Sequence, residues 1–206
     1  MFITFEGVEG SGKTTIANAV AVKLKGAGHD VVQTREPGGV AIAEAIREVI
    51  LNPDHTDMDA ITETLLYAAA RRQHLVDVIL PALALKKIVL CDRFIDSTVA
   101  YQGVARGIDQ SIIHTINDVA TEGRLPDLTF FIDVTPQVGL MRIAQNKQRE
   151  VNRLDLETRD FHEAVYKGYL LQSEKCPERI SVVDGNRPVE AIASEVFTII
   201  ETRCAP

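Results

Sequence analysis

The chain has 206 residues, 46% hydrophobic and 25% charged, which suits one packed α/β domain and is too short for two with separate cores. A net charge of -7 argues against a general nucleic-acid binder, so an anionic ligand must be met by a local cluster of Arg and Lys. Cys91, Cys176 and Cys204 have neither disulfide-framework nor zinc-site spacing. No signal peptide is visible, and the most apolar stretch, 76–85, contains Asp77 and Pro81 and is too short to span a bilayer, so a soluble, cytoplasmic protein is expected.

In chain order, residues 2–5 form a short β run that ends in a Gly-rich turn. Ile16, Val20 and Leu24 then recur at helical spacing until Gly26 and Gly28. A second strand covers 31–34. Ile42, Ala45, Ile46, Val49 and Ile50 mark an amphipathic helix closed by Asn52-Pro53. A long helix is expected over 57–80, interrupted by Pro81. Residues 88–91 are apolar without alternation, as in a strand buried on both faces. Further strands are expected at 128–132 and 180–183. Helices are marked by Ile112, Ile113, Ile116 and Val119, by Phe161, Val165 and Tyr169, and by Ile192, Val196 and Ile200 after Pro188. The polar, basic stretch 145–153 breaks the pattern and reads as a mobile loop. Strands alternating with helices predict a parallel sheet covered on both faces.

Gly7-Val8-Glu9-Gly10-Ser11-Gly12-Lys13-Thr14 matches the phosphate-binding loop G-x-x-x-x-G-K-[ST], with an apolar strand before it and a helix after it. Glycines let backbone N–H groups converge on phosphate oxygens, and the helix N-terminus favours negative charge. Lys13 is expected at the β- and γ-phosphates and Thr14 at Mg²⁺. This loop alone does not separate a kinase from a nucleotide switch or ATPase subunit; the guanine-reading N-K-x-D motif is lacking.

Asp92-Arg93-Phe94 follows the buried strand, where ligands of open α/β sheets bind. Asp92 is expected to hold Mg²⁺ through water and Arg93 to meet an anion. Thr34-Arg35-Glu36-Pro37-Gly38-Gly39 follows the second strand in the same way, and two arginines at two strand ends fit a second phosphate. A deoxynucleoside acceptor would not need both. Tyr67 and Arg71 share a helix face, as do Ser97, Thr98, Tyr101 and Gln102; on residue type alone a core Tyr with a surface Arg is the preferred reading of the first set, and the same holds against a ligand role for the second.

Taken together, Thr34-Arg-Glu-Pro-Gly-Gly39, Asp92-Arg-Phe94 with Ser97, and Tyr101-Gln-Gly103 resemble the bacterial thymidylate kinases of the P-loop nucleoside monophosphate kinase family, over essentially the whole chain. The resemblance implies a three-layer fold with five parallel strands, one domain with a lid at about 142–153, and a homodimer. It implies transfer of phosphate from ATP, with Mg²⁺, to dTMP on the route to dTTP, with small-molecule partners only. ATP would meet residues 7–14, Thr15 and Arg142. dTMP would meet Glu9, Arg35, Glu36, Pro37, Tyr67, Arg71, Arg93, Ser97, Thr98, Tyr101 and Gln102, with Tyr67 stacked on thymine and Arg71 on the base edge. Lys13, Arg93 and a lid arginine would be catalytic; Arg153 aligns best for the last, with Arg149 as the alternative.

Overall fold

The computed structural model describes residues 1–145 and 152–204; the expected loop positions 146–151, Arg149 among them, lie outside the described residues. β1 (Phe2–Glu6) leads into α1 (Lys13–Gly26), followed by β2 (Val31–Arg35), α2 (Ala41–Leu51) and α3 (Ala60–His74). A π-helical turn, Leu75–Ile79, joins α3 to α4 (Leu80–Ala84). β3 (Ile88–Asp92) precedes α5 (Ile95–Thr98), a further π-helical stretch Val99–Ala105, and α6 (Gln110–Thr121). β4 (Leu128–Asp133), α7 (Pro136–Gln145), a 3₁₀ turn at Arg153–Leu156, α8 (Arg159–Lys175), β5 (Ile180–Asp184) and α9 (Val189–Cys204) complete the order.

The five strands form one parallel sheet in the order β2-β3-β1-β4-β5. Burial follows position. The inner strands β1, β3 and β4 are buried on both faces almost throughout, whereas the outer β2 and β5 are only partly covered. On one face Ile3, Phe5 and Phe130 pack against Ile16, Val20 and Leu24 of α1 and Ile192, Val196 and Ile200 of α9. On the other, Phe2, Val89 and Cys91 meet Leu75, Ile79 and Phe94, while Phe131 packs with Tyr101, Val165 and Tyr169. The side-chain period of two produces this split, since Phe2 and Ile3 point to opposite faces.

Three differences from the sequence reading have physical causes. Each strand runs one residue beyond its apolar stretch, to Glu6, Arg35, Asp92, Asp133 and Asp184. The backbone ladder continues where hydropathy stops, so charged side chains stand at the sheet's carboxyl edge. Secondly, Pro81 does not end the helical path. The Leu80 N–H donates to the Leu75 carbonyl in the wider π register, and the chain remains helical to Ala84 despite the N–H that proline lacks. Thirdly, Ile42 and Val49 of α2 and Ile112 and Val119 of α6 are exposed; of the expected apolar residues Ile50 and Ile113 are buried, joined by Ala43, Asn117 and Ala120.

α7 touches the Gly-rich loop backbone to backbone. A Cβ on Gly10, whose φ is +71°, would stand 2.2 Å from the Gly139 carbonyl oxygen, and one on Gly139 would stand 2.1 Å from the Glu9 carbonyl oxygen. No side chain fits there without parting the two segments. Gly139→Ala is expected to lower unfolding free energy by about 1–3 kcal/mol through overpacking, read from urea denaturation. An unchanged midpoint would mean that α7 can withdraw from the loop without cost.

Candidate active site

Strand register assembles the site. Phe5 of β1 and Arg35 of β2 both lie level with Asp92 of β3. Across the edge, the Glu36 N–H donates to the Asp92 carbonyl (2.9 Å) and the Arg93 N–H to the Phe5 carbonyl (3.0 Å). The Gly-rich loop, the 35–39 turn and the 92–94 segment are thereby tied around one cleft of about 650 Å³. Its lining includes Glu9, Gly10, Ser11, Gly12, Lys13, Thr14 and Thr15, together with Arg35, Glu36, Pro37, Tyr67, Asp92, Arg93, Ser97, Thr98, Tyr101, Gln102 and Arg142. Gly7 and Val8 are buried beneath the loop.

At the loop end, Gly12 turns the chain into α1 at φ +96°, a conformation in which a side chain would be strained. The buried Lys13 ammonium donates to the carbonyls of Gly7 (3.1 Å) and Val8 (2.9 Å) and to Ser11 Oγ (3.4 Å). Burial, and then the charge of Arg93, bring its pKa down to about 8. Thr14 Oγ1 donates to Asp92 Oδ2, so a hydroxyl and a carboxylate, both hard oxygen donors, meet at the cleft floor. Arg142 donates to the Gly185 carbonyl (3.2 Å), and Gly185 and Arg187 extend the wall on that side.

A second cationic cluster lines the same cleft. Arg35 donates to the Pro37 carbonyl (2.8 Å) and forks onto Glu44 (2.8 and 3.0 Å). Arg47 joins it at the same carbonyl (2.9 Å) and lines the cleft. The Glu36–Pro37 peptide bond in this turn is cis. Arg93 adopts φ 72°, a strained position for a residue with a side chain. Its guanidinium donates to Glu9 Oε1 (2.9 Å), Ser97 Oγ (3.1 Å) and the Tyr169 hydroxyl (3.0 Å), and its carbon lies 5.0 Å from the Tyr101 ring centre. Tyr101 donates its hydroxyl to both Glu9 oxygens (2.6 Å each). Burial pushes the Glu9 carboxyl up, but Arg93 and Lys13 outweigh it and leave the pKa below the usual range. Glu6 lies underneath, accepting from the Phe94 N–H (2.7 Å), Ser97 (2.6 Å) and Tyr169 (2.9 Å); burial and the charge of Asp96 raise its pKa to about 7.

The third wall comes from α3, where Glu63, Tyr67 and Arg71 follow one another at four-residue spacing on a single face. Tyr67 faces the cleft, as expected. Arg71 does not line it. It is 2% exposed and donates to Glu36 (2.8 Å), Thr98 (2.8 Å), Asn117 (2.9 Å) and the Phe94 carbonyl (3.1 Å), behind the wall. Of its five N–H groups one, on Nη2, has no bond among the described residues. Arg153 also takes a different place from the expected one. It is 6% exposed, donating to the Ile50 carbonyl (2.9 Å) and pairing with Glu63, while its neighbours Asn152 and Leu154 line the cleft. The cause is Glu63, a carboxylate 1% exposed that draws Arg106, Arg153 and Gln102 around it.

Sequence reading passed over Glu6, Glu44, Arg47, Glu63, Tyr169 and Arg187. Most support other side chains and belong to no linear motif. Glu63 had one available signal, its position one helical turn before Tyr67.

The thymidylate kinase family model matches residues 5–196. The thymidylate kinase of Geobacillus thermodenitrificans is 52% identical over 202 residues, covering 98% of this chain and 90% of that protein. That of Clostridium novyi is 53% identical over 195 residues, covering 95% of each. The crystal structure of thymidylate kinase from Ehrlichia chaffeensis superposes with a TM-score of 0.77 at 37% identity, covering 98% of both chains. A five-stranded parallel sheet, a complete phosphate loop and two arginines lining the same cleft accompany this likeness from end to end: the chain belongs to the thymidylate kinase family.

Proposed function

We propose that the chain transfers the γ-phosphoryl group of ATP to dTMP, giving dTDP and ADP on the route to dTTP for DNA synthesis. One observation carries the reading beyond the loop itself. Arg35 and Arg93 line the same cleft as the phosphate loop, together with Tyr67 and Gln102. A triphosphate on the loop and a monophosphate on the arginines would then be aligned for direct transfer. A deoxynucleoside acceptor would leave the arginine pair without a partner.

In this mechanism a dTMP phosphate oxygen attacks the γ-phosphorus as the bond to the β,γ-bridging oxygen breaks and ADP departs. No strong base is needed, because the attacking oxygen is already anionic near neutral pH. Lys13 and the loop amides bind the β- and γ-phosphates, and Arg35 and Arg93 aim the acceptor. Glu9, held by Tyr101 and Arg93, stands where the acceptor sugar would pass. The oxygens of Thr14 and Asp92 fit a Mg²⁺ ion, which when bound supplies neutralising charge to the phosphates. The segment at about 142–153 is assigned as a lid over the donor, supplying an arginine to the transferring group. Arg142 already lines the cleft, Arg153 would first have to exchange Glu63 for phosphate, and Arg149 lies outside the described residues.

A homodimer accounts for the exposed apolar side chains of α2, α3 and α6, where Ile42, Val49, Ile61, Leu65, Ile112 and Val119 lie on helices that pack on one another. Among the described residues no helix is long and apolar enough to cross a membrane; a cytoplasmic site of action is part of the proposal.

Two measurements follow. With ATP and Mg²⁺, turnover of dTMP to dTDP should far exceed that of dCMP, dGMP or thymidine. The missing methyl of dUMP should cost about 10–200-fold, leaving it detectable. Preferred phosphorylation of thymidine, or ADP release without an acceptor, would reject the proposal. Arg35→Ala should raise KM for dTMP by on the order of tenfold or more, as expected for loss of a charged phosphate contact. Its KM for ATP should stay within about threefold; an equal rise in both would place Arg35 outside the acceptor site.

A further inference from the structure

Glu63 does no chemistry in the scheme above, yet it is the most heavily bonded carboxylate beside the cleft. Gln102 Nε2 donates to its Oε1 (2.8 Å), Arg106 forks onto both oxygens (3.3 and 3.1 Å), and Arg153 closes on Oε2. Burial pushes its pKa up, but these donors outweigh burial and hold the carboxyl ionised, below the usual range.

An ionised carboxylate has acceptors only. Whatever atom of the Gln102 amide faces Glu63 must therefore be the NH₂ group, and the carbonyl must point the other way. Gln102 is 2% exposed and lines the cleft, and no described residue donates to its Oε1. Gln102 thus presents an acceptor to the cleft because Glu63 has taken its donor.

We propose that Glu63 is a specificity-determining positioning residue, which fixes the Gln102 amide so that the acceptor site takes a pyrimidine carrying an N3–H. Thymine and uracil have that N3–H donor, whereas cytosine has a bare N3 acceptor that would meet the Gln102 oxygen lone pair to lone pair. A buried polar group left unpaired against the wrong base discriminates far more strongly than a methyl contact. This inference rests on the reading of the cleft as a nucleoside monophosphate acceptor site.

Glu63→Gln reverses the device. Arg153 and the Nη2 of Arg106 keep the oxygen of the new amide at the Oε2 position, which leaves its NH₂ at the Oε1 position facing Gln102 and the Arg106 Nε. The Gln102 carbonyl then turns toward position 63, and its Nε2 turns to the cleft, where it suits cytosine. The expected result is a fall of on the order of tenfold or more in the dTMP-to-dCMP ratio of kcat/KM, carried by KM for the two monophosphates, with KM for ATP little changed. A purely structural role would lower both activities together and leave the ratio where it was. An unmoved ratio in folded E63Q overturns the proposal. If E63Q does not accumulate folded, Glu63→Asp retains the charge for Arg106 and Arg153 but draws it back from Gln102. The ratio should then fall at least about threefold, and a wild-type ratio overturns the proposal equally. Failure of the unaltered chain to prefer dTMP over dCMP would reject the acceptor-site reading itself, an outcome distinct from an insensitive E63Q.

Discussion

Cations around a partly dry cleft must be held charged and aimed; among the described residues of this protein five arginines are held by glutamates, while Lys13, Arg47 and Arg142 rest on backbone carbonyls. Arg93 rests on Glu9, Arg35 on Glu44, Arg71 on Glu36, and Arg106 and Arg153 on Glu63. Breaking a buried pair such as Arg71–Glu36 or Arg153–Glu63 from one side would leave a charge buried without a partner, which costs far more than an exposed pair such as Arg35–Glu44 contributes. The glutamates therefore fix geometry more than they add stability. Overall acidity and a local anion site coexist for this reason, since the net charge of -7 lies partly in the carboxylates that position the arginines.

The sheet supplies the frame for those pairs. Because all five strands are parallel, their carboxyl ends open on one edge, and the extra residue on each strand brings a charged side chain there. Glu6 and Asp92 come from strand ends, while Glu9, Arg93 and Glu36 come from the first turns beyond them. The direct backbone contact of Gly10 with Gly139 ties the loop to α7, the helix that leads into residues 146–151. Loop position and the course of α7 are thus set by one contact.

Much of this was legible in the sequence, and the reasons differ by region. The inner strands announce themselves because burial on both faces removes alternation, as in Ile88-Val89-Leu90-Cys91. The phosphate loop is a local motif whose chemistry needs contiguous residues, so Gly7 to Thr14 could be read directly. Arg35 and Arg93 were found because each follows a strand. The roles of Arg71 and Arg153 came from the family resemblance; both side chains are turned inward onto buried glutamates, and neither Glu36 nor Glu63 reveals its burial in the sequence. Helix periodicity held only in part at α2 and α6, where Ile50 and Ile113 are buried but Ile42, Val49, Ile112 and Val119, of the same apolar pattern, are exposed.

The central claim is that the acceptor site is assembled before its ligand arrives. Crystal structures of the protein alone and with dTMP test it most directly. The account predicts that the Arg93 guanidinium shifts by less than about 1 Å, keeps Glu9, and accepts the dTMP phosphate on its open side together with Arg35. An Arg93 that leaves Glu9 to reach the phosphate, or a phosphate bound away from both arginines, would contradict it.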